Sequence, residues 1–252
     1  MSLKIGITGA TGKMGGTVIS CARESEDYEI GFAVDREASK REDVPVEKES
    51  NFRQLILEEQ PDVIVDFTAP EASLRYSKIC ADTGTPIVIG TTGFSEEQVK
   101  RLKNMSKNTP ILKASNFSKG VQALRDILKT ALKNLEGYDI EIVESHHNSK
   151  VDSPSGTAKT LLRDVKDTVE VDDIVYGRQG ESERGEREIG IHSIRCGNIR
   201  GKHKVIIGQN EETVEISHEV HSRKVFALGA LEAAQIASEL ENGWHNYSEL
   251  IE

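Results

Sequence analysis

Cysteine is scarce in this sequence, and no two cysteines lie close together. Cys21, Cys80 and Cys196 are odd in number and widely spaced along the 252-residue chain, which argues against the disulfide framework of a secreted domain. They also lack the C-x-x-C spacing of a metal or redox site. We therefore expect a reducing compartment, the cytoplasm.

Long hydrophobic runs are absent as well. The longest apolar runs extend over a few residues only, far short of the roughly 20 that span a bilayer. The opening MSLKIGITGATG enters a strand pattern without the hydrophobic region of a signal peptide. We expect neither a membrane partner nor export.

Positively charged residues are fewer than negatively charged ones. Lys and Arg number 32 against 42 Asp and Glu, which leaves a net charge of −10. Phosphate binding needs clustered Lys and Arg, so no nucleic-acid partner is expected. Hydrophobic residues make up 37% of the chain, enough for the core of one large domain or two modest ones.

The first half of the chain alternates short apolar runs with helical patterns. This alternation is typical of βαβ units, and it predicts a parallel, Rossmann-like α/β sheet. The predicted strands are Lys4–Thr8, Ile30–Val34, Val63–Phe67, Pro86–Gly90 and Pro110–Ala114.

The second half follows a different pattern. An amphipathic helix is predicted over Val121–Leu135 and a hairpin turn over Gln209–Glu212. A C-terminal helix is predicted over Val225–Leu240, stopped near Gly243, and expected to pack back on the first domain. The predicted strands are Ile140–Glu144, Glu188–Cys196, Lys204–Gly208 and Thr213–Val220. We therefore predict one domain from residues 1–117 and 221–252, and an α+β domain with a mainly antiparallel sheet from residues 118–220.

A glycine-rich turn directly follows the first predicted strand. It consists of Gly9, Ala10, Thr11, Gly12, Lys13, Met14 and Gly15. Glycines at these points let the backbone approach a pyrophosphate, whose charge then lies at a helix start. The spacing G-x-x-G-x-x-G is a variant of the dinucleotide fingerprint. An ordinary tight turn between strand and helix is the alternative.

Asp35 ends the second strand, 20 residues after Gly15. An acidic residue there accepts hydrogen bonds from the adenosine ribose of NAD, whereas the neighbouring Arg36 could pair with the 2′-phosphate of NADP. The sequence predicts NADH or NADPH as cofactor without choosing between them. A surface Asp-Arg pair without a ligand is the alternative.

Two later strand ends also point to this cofactor, because ligands of open α/β sheets bind beyond the carboxyl ends of the strands. The turn Gly90, Thr91 and Thr92 is small enough for a flat nicotinamide to lie near backbone amides. Phe67 could shield one face of that ring, or simply pack in the core.

The second domain contains the run Glu144-Ser145-His146-His147-Asn148-Ser149-Lys150-Val151-Asp152-Ser153-Pro154-Ser155-Gly156-Thr157-Ala158. Two imidazoles and an ammonium group supply positive donors and a proton source near neutral pH. Pro154 and the residues after it open a helix whose N–H groups can bind an anion, and Gly156 lets a carboxylate come close. The pattern predicts a ligand with two carboxylates near a reducible bond.

Two alternatives remain open for the histidine pair. Adjacent histidines can bind a metal, but no third ligand stands at a recognisable spacing. We therefore predict no metal. The pair could also be structural.

These blocks resemble the dihydrodipicolinate reductase family. The run ESHHNSKVDSPSGTA is similar to the family's signature, and GATGKMG, VDFTAPE, GTTGFS and ASNFSKGV resemble its other blocks in the same order. The similarity extends from residue 5 to about residue 235 and includes Arg195–Gly201 and His203.

The resemblance implies an enzyme, usually tetrameric, in which NADH or NADPH reduces a cyclic dicarboxylate of the diaminopimelate and lysine pathway. It implies that Gly9–Met14 bind the pyrophosphate and that Asp35 and Arg36 contact the adenosine end. The nicotinamide would be surrounded by Gly90, Thr91 and Thr92 and by Ala114, Ser115, Asn116 and Phe117.

For the second domain the resemblance implies substrate binding and tetramer assembly. His146 would be a proton donor or acceptor and Lys150 the proton donor. His147 would bind substrate, and Gly156 with Thr157 would hold a carboxylate. We expect the assembly surface on the face formed by Val205, Ile207, Val214, Ile216, His218 and Val220.

One departure is visible: Ala69 stands where many relatives have an arginine, so any cofactor contact of that arginine is missing here. Lys113 and Lys119 receive no role. Two other functions remain possible, a related dehydrogenase of amino-acid metabolism and a dinucleotide-sensing protein without catalysis. The histidine block argues against both.

Overall fold

A computed structural model describes residues 2–250 of the chain. The chain divides into two compact units, unit 1 with Met1–Phe117 and Arg223–Glu252, and unit 2 with Ser118–Ser222. The outermost predicted domain bounds, at residues 1 and 251–252, lie outside the described residues. No helix among residues 2–250 is long and apolar enough to cross a bilayer.

Strands and helices alternate through the first part of unit 1, as βαβ units require. The elements are β1 (Leu3–Thr8), α1 (Lys13–Arg23), β2 (Tyr28–Asp35), β3 (Ser39–Arg41), β4 (Val44–Lys48), α2 (Phe52–Glu59), β5 (Val63–Asp66), α3 (Pro70–Thr83), β6 (Ile87–Ile89), α4 (Glu96–Met105) and β7 (Pro110–Lys113). The five strands predicted for this region are confirmed, with ends shifted by no more than two residues.

Unit 2 has two helices and five strands. They are α5 (Lys119–Asn134), β8 (Asp139–His146), α6 (Gly156–Lys166), β9 (Asp173–Tyr176), β10 (Glu188–Arg195), β11 (Lys202–Gly208) and β12 (Thr213–Glu219). The chain then returns to unit 1 as α7 (Lys224–Glu239) and β13 (Gly243–Asn246). Gly243 therefore begins a strand, which the sequence pattern did not predict.

The sheet of unit 1 has eight strands in the order β13-β7-β6-β5-β1-β2-β4-β3. Every pairing is parallel except β3 with β4. Helices cover both faces, so the central strands are buried on both sides and are mainly apolar. The Rossmann-like fold class predicted from the sequence is confirmed.

Small residues let α7 complete this unit. Ala227, Ala230 and Ala234 are fully buried in the same core as β1 and β5. A Cβ atom at Gly229 would lie 1.9 Å from the Phe117 carbonyl oxygen, so only glycine permits this approach. The predicted return of the C-terminal helix to the first domain is confirmed.

The sheet of unit 2 has the order β12-β11-β8-β10-β9. The predicted antiparallel strands β8, β11 and β12 form one side of it, with Gln209 donating to the Glu212 carbonyl in the predicted hairpin turn at 2.9 Å. On the other side β10 and β9 continue the sheet in parallel.

The helices α5 and α6 cover one face of this second sheet. Val205 and Ile207 are fully buried there, and Val214 and Ile216 pack against the same core. The prediction that this face is an assembly surface is therefore wrong: alternation along the strands marks the face that is buried, but not which element buries it.

Candidate active site

The glycine loop after β1 is tightly packed. Gly9 has φ of 73°, and a Cβ atom there would lie 2.3 Å from the Phe67 carbonyl oxygen. A Cβ atom at Gly15 would lie 2.1 Å from the Gly9 carbonyl oxygen. The first and third glycines are thus required by the turn itself and by the close start of α1.

The start of α1 suits a phosphate group. Gly12 is the N-cap, and within the described part of the chain no side chain caps this helix and its first turn has no acidic residue. The N–H groups of this turn, with the positive end of the helix dipole, therefore remain available for an anion. The residues present fit a dinucleotide pyrophosphate.

Asp35 is tied to the loop. Its carboxylate accepts hydrogen bonds from the Thr11 N–H and hydroxyl groups and from the Arg36 N–H group. Burial raises the pKa of Asp35, but these hydrogen bonds outweigh that effect and leave the pKa below its usual value. The Arg36 side chain beside it is exposed. An ionised acceptor and a cation thus stand together at the end of β2.

The strand ends of β5, β6 and β7 bring Phe67, Gly90 and Phe117 into one cluster. A Cβ atom at Gly90 would lie 2.1 Å from the Phe67 ring, so Phe67 fills the space that glycine leaves. The Phe67 and Phe117 ring centres are 6.0 Å apart, and Phe117 is buried. Thr91 is buried, whereas Thr92 and Ser115 are exposed.

Asp66 connects these strand ends and was not among the site residues predicted from the sequence. The carboxylate is fully buried and accepts hydrogen bonds from the hydroxyl groups of Thr8 at 2.6 Å, Thr68 at 2.7 Å and Thr91 at 2.8 Å. The Thr91 hydroxyl oxygen in turn accepts from the Thr68 N–H group. One carboxylate thus fixes the ends of β1, β5 and β6, from which the predicted cofactor residues extend.

In unit 2, His146 points to the buried face of β8 and is 9% exposed. Its Nδ1 atom lies 2.5 Å from Oε2 of Glu144, two residues earlier on the same face. Arg195, paired with His146 across β8 and β10, donates to both Glu144 oxygens. The predicted proton-transfer histidine is therefore oriented by a carboxylate.

Lys150 and His147 lie in the loop after β8. The Lys150 ammonium nitrogen lies 2.7 Å from Oδ1 of Asp152. The Ser149 hydroxyl group and Nδ1 of His147 are 2.9 Å apart. Lys150 is partly buried.

The anion site predicted at a helix start coincides with the start of α6. Ser155 is the N-cap and accepts a hydrogen bond from the Ala158 N–H group. A Cβ atom at Gly156 would meet no other atom within 4 Å, so the space beside the first turn of α6 is open at this residue. Pro154 was predicted inside the first turn, but it precedes the cap.

His203 is a second histidine in this cluster. It is buried, its Nε2 atom lies 2.9 Å from the Ser155 hydroxyl oxygen, and its ring centre is 5.2 Å from that of His146. Burial lowers the pKa of His203 to about 3, so it is neutral. No catalytic or substrate-binding role was predicted for His203, although it lies in the segment that resembles the family.

Predicted site residues thus separate into two groups. The cofactor residues lie together at the carboxyl ends of the unit 1 strands, and the histidines, Lys150 and the start of α6 lie together in unit 2.

Within residues 2–250, no group of three or more His, Cys, Asp or Glu side chains could hold a metal ion. Asp66, Glu144, Asp152, Arg195 and His203 also belong to these groups, and no role was predicted for them from the sequence.

The fold and these two groups of residues define an NAD(P)H-dependent oxidoreductase of the Rossmann type. Residues 3–117 match the family described as dihydrodipicolinate reductase, N-terminus, and residues 120–251 match its C-terminus. The chain therefore belongs to the dihydrodipicolinate reductase family, and the resemblance inferred from the sequence is confirmed.

Relatives in this family are similar over their full length. A 4-hydroxy-tetrahydrodipicolinate reductase of Haloarcula marismortui is 39% identical over 249 residues, 99% of each chain. That of Caldanaerobacter subterraneus subsp. tengcongensis is 40% identical over 253 residues, covering 100% of this chain and 99% of the relative.

Solved structures share the fold. Dipicolinate-bound dihydrodipicolinate reductase from Paenisporosarcina sp. TG-14 superimposes with a TM-score of 0.80 at 23% identity, covering 100% of both chains. An amine dehydrogenase from Mycobacterium smegmatis has a TM-score of 0.68 at 11% identity, covering 98% of this chain and 96% of the other. The second match shows that this fold also occurs with another named activity.

Proposed function

We propose that this protein reduces the 4-hydroxy-tetrahydrodipicolinate intermediate to tetrahydrodipicolinate in diaminopimelate and lysine biosynthesis, with NADH or NADPH. The observation that carries the proposal is the cluster in unit 2, in which an oriented imidazole, an ammonium group and an open helix start follow one another within a dozen residues. This cluster suits a dicarboxylate that must receive a proton.

The residues of unit 1 hold the dinucleotide. The loop from Gly9 to Met14 binds the pyrophosphate with its N–H groups. Asp35 accepts from a ribose hydroxyl group, and Arg36 pairs with a 2′-phosphate where one is present. The nicotinamide end is bordered by Gly90, Thr91 and Thr92, by Phe67, and by the segment Ala114, Ser115, Asn116 and Phe117. When bound, the cofactor supplies a hydride.

The residues of unit 2 hold the substrate and move protons. The start of α6, with Gly156 and Thr157, binds one carboxylate, and His147 binds the other end of the substrate. Hydride addition to a conjugated C=C–C=N system leaves an electron pair on the nitrogen side. Lys150 donates the proton that neutralises it, and His146 exchanges protons beside it.

The same cluster in unit 2 bears on two rival functions. A dehydrogenase acting on another amino-acid intermediate would bind a different carbonyl or amine substrate, and a dinucleotide sensor would need no proton donor in unit 2. A sensor does not require a helix start open to a carboxylate beside Lys150, and the histidine block argues against the other dehydrogenase.

The test is a steady-state assay in which NADH or NADPH absorbance is followed with and without the product of dihydrodipicolinate synthase. We expect oxidation of the cofactor only when that product is supplied. Oxidation of the reduced cofactor with aspartate semialdehyde instead, reduction of the oxidised cofactor with homoserine, or binding of dinucleotide without turnover of any of the three, would replace the proposal with one of its rivals.

We further propose a cytoplasmic homotetramer with 222 symmetry. The second sheet supports this, because one of its faces is covered by no helix of its own unit and carries the apolar residues Val143, Ile194 and Ile206. The same face also carries charged side chains such as Glu141, Lys204 and Glu215, so the proposal rests mainly on similarity to the family. A stable monomer in sedimentation at micromolar concentration would contradict the tetramer.

A further inference from the structure

Glu144 lies at the centre of a buried polar cluster in unit 2. Its side chain is fully buried on β8. Oε2 accepts from His146 at 2.5 Å and from Nη1 of Arg195 at 2.9 Å. Oε1 accepts from Nη2 of Arg195 at 2.7 Å and from the Ser155 N–H group at 3.1 Å. A buried carboxylate is stable only with such complete hydrogen bonding.

We propose that Glu144 is a positioning residue for the reaction: it holds His146 in the tautomer with the proton on Nδ1 and leaves Nε2 as a proton acceptor. The proposal rests on the proposed function, since it divides the proton transfers between two residues. Lys150 donates, and His146 accepts. The two roles that the sequence left open for His146 are thereby reduced to one.

The state of the carboxylate decides which atom donates. Burial by itself raises the pKa of Glu144, but the hydrogen bonds from Arg195 and His146 lower it to about 2. Near neutral pH the group is ionised and can only accept hydrogen bonds. Nδ1 of His146 must therefore carry the proton of the 2.5 Å contact.

The charge on His146 follows from the groups that face its ring. These are Glu144 on its own strand, Arg195 on β10, His203 on β11 and Lys150 in the following loop. Burial has the largest effect and lowers the pKa of His146. The positive charges of Lys150 and Arg195 lower this pKa as well, and Glu144 raises it only enough to offset these effects in part. The ring is neutral near pH 7, with a lone pair on Nε2.

The same carboxylate also reaches the proposed carboxylate site. Its Oε1 atom accepts from the N–H group of Ser155, the N-cap of α6, and the Ser155 hydroxyl group contacts His203. Glu144 therefore fixes the proton acceptor and the start of the anion-binding helix relative to each other. A carboxylate that orients a histidine in this way resembles the third member of a catalytic triad in its physical role.

The test compares Glu144→Gln with Asp164→Asn. Asp164 is a matched control because it is also a buried carboxylate of unit 2, and its two oxygens accept from Nε and Nη2 of Arg125 at 2.6 and 2.9 Å. We expect Glu144→Gln to lower kcat by roughly 10²-fold or more. Loss of the negative charge also lowers the pKa of His146 further, so the acid limb of the kcat profile moves to lower pH. Asp164→Asn should reduce thermal stability and leave kcat and the pH profile unchanged.

A second measurement needs no substitution at Glu144. In wild-type protein with ¹⁵N-labelled histidine, assigned with His146→Gln, we expect His146 to show a protonated Nδ1 and an unprotonated Nε2 at pH 7. A proton on Nε2, or a Glu144→Gln enzyme with unchanged kcat and acid limb, would overturn the proposal. If wild-type protein does not oxidise cofactor with the synthase product, the proposed function and the catalytic role fail together, while the nitrogen spectrum still reports whether Glu144 orients His146.

Discussion

The carboxylate of Asp35 accepts two hydrogen bonds from Thr11, with Oδ2 lying 2.9 Å from the Thr11 nitrogen and 2.6 Å from its hydroxyl oxygen. The residue predicted to contact the cofactor ribose thus also fixes the glycine loop. Arg36 donates its N–H group to the other oxygen of the same carboxylate while its side chain remains exposed. The end of β2 therefore presents both a hydrogen-bond acceptor, the Asp35 carboxylate, and a positive charge, the Arg36 side chain.

The first prediction is that NADH and NADPH both support turnover. Asp35 suits a ribose hydroxyl group and Arg36 a 2′-phosphate, so the ratio of the two Michaelis constants should stay below about a hundredfold, equivalent to about 2.7 kcal/mol. Arg36→Ala should raise the Michaelis constant for NADPH and spare that for NADH. A larger ratio in the wild type would show that one of the two residues does not reach the cofactor.

The second prediction concerns the proton-transfer residues. Lys150→Ala and His146→Gln should each lower kcat by roughly 10²–10⁴-fold, the usual contribution of a general acid or base. Dinucleotide affinity, measured by fluorescence titration, should hardly change, because the glycine loop belongs to the other unit. Lys166→Ala, at the exposed end of α6, is the control and should retain full activity. Near-normal kcat with weakened dinucleotide binding in Lys150→Ala would contradict this assignment.

The third prediction separates binding from reaction. His147→Ala and Thr157→Val should mainly raise the Michaelis constant for the dicarboxylate, since they remove groups that hold the substrate rather than groups that react. Dipicolinate, tested as an inhibitor, should lose affinity in parallel. A fall in kcat at unchanged Michaelis constant would move these residues into the proton-transfer group.

The fourth prediction is a pH dependence of stability due to Glu144. Its pKa falls from an unfolded value of 4.5 to about 2 in the folded protein, so the unfolded state binds the proton more tightly. The stabilisation is present above pH of about 4.5 and is lost as the pH falls towards about 2; it is on the order of 3 kcal/mol.

Urea unfolding of wild type and Glu144→Gln across this pH range measures the effect. The difference in unfolding free energy between the two proteins should shrink as the pH falls through the window. A difference that stays constant with pH would show that the charge of Glu144 does not stabilise the fold.

The fifth prediction concerns Asp66. Replacement by Asn puts an N–H donor among three hydroxyl groups that all donate to this position, so we expect a loss of roughly 1–3 kcal/mol in unfolding free energy. NADH affinity should fall with it, because the same hydroxyl groups fix the strand ends at the cofactor site. Asp82→Asn is the control: this exposed carboxylate pairs with Arg53 at 3.3 Å and should contribute little. Equal effects of the two substitutions would remove Asp66 from the cofactor site.

Much of the fold could be predicted from local patterns. Apolar runs such as those of β1 and β5 lie in a sheet buried on both faces and are continuous in sequence, so their positions are visible without a structure. The strands β3, β4, β9 and β13 were not predicted. They are three to five residues long with only one fully buried side chain among them, so they carry no periodicity to detect.

The site divides in the same way. The sequence alone determined the glycine loop, the acidic residue that follows it and the histidine block, because each consists of neighbouring residues with a fixed chemical use. Only the tertiary structure decided which groups surround them. Arg195 is 51 residues from Glu144, and Thr8 is 58 residues from Asp66. Such pairs are set by strand order and register, which depend on how the whole sheet packs rather than on any local pattern.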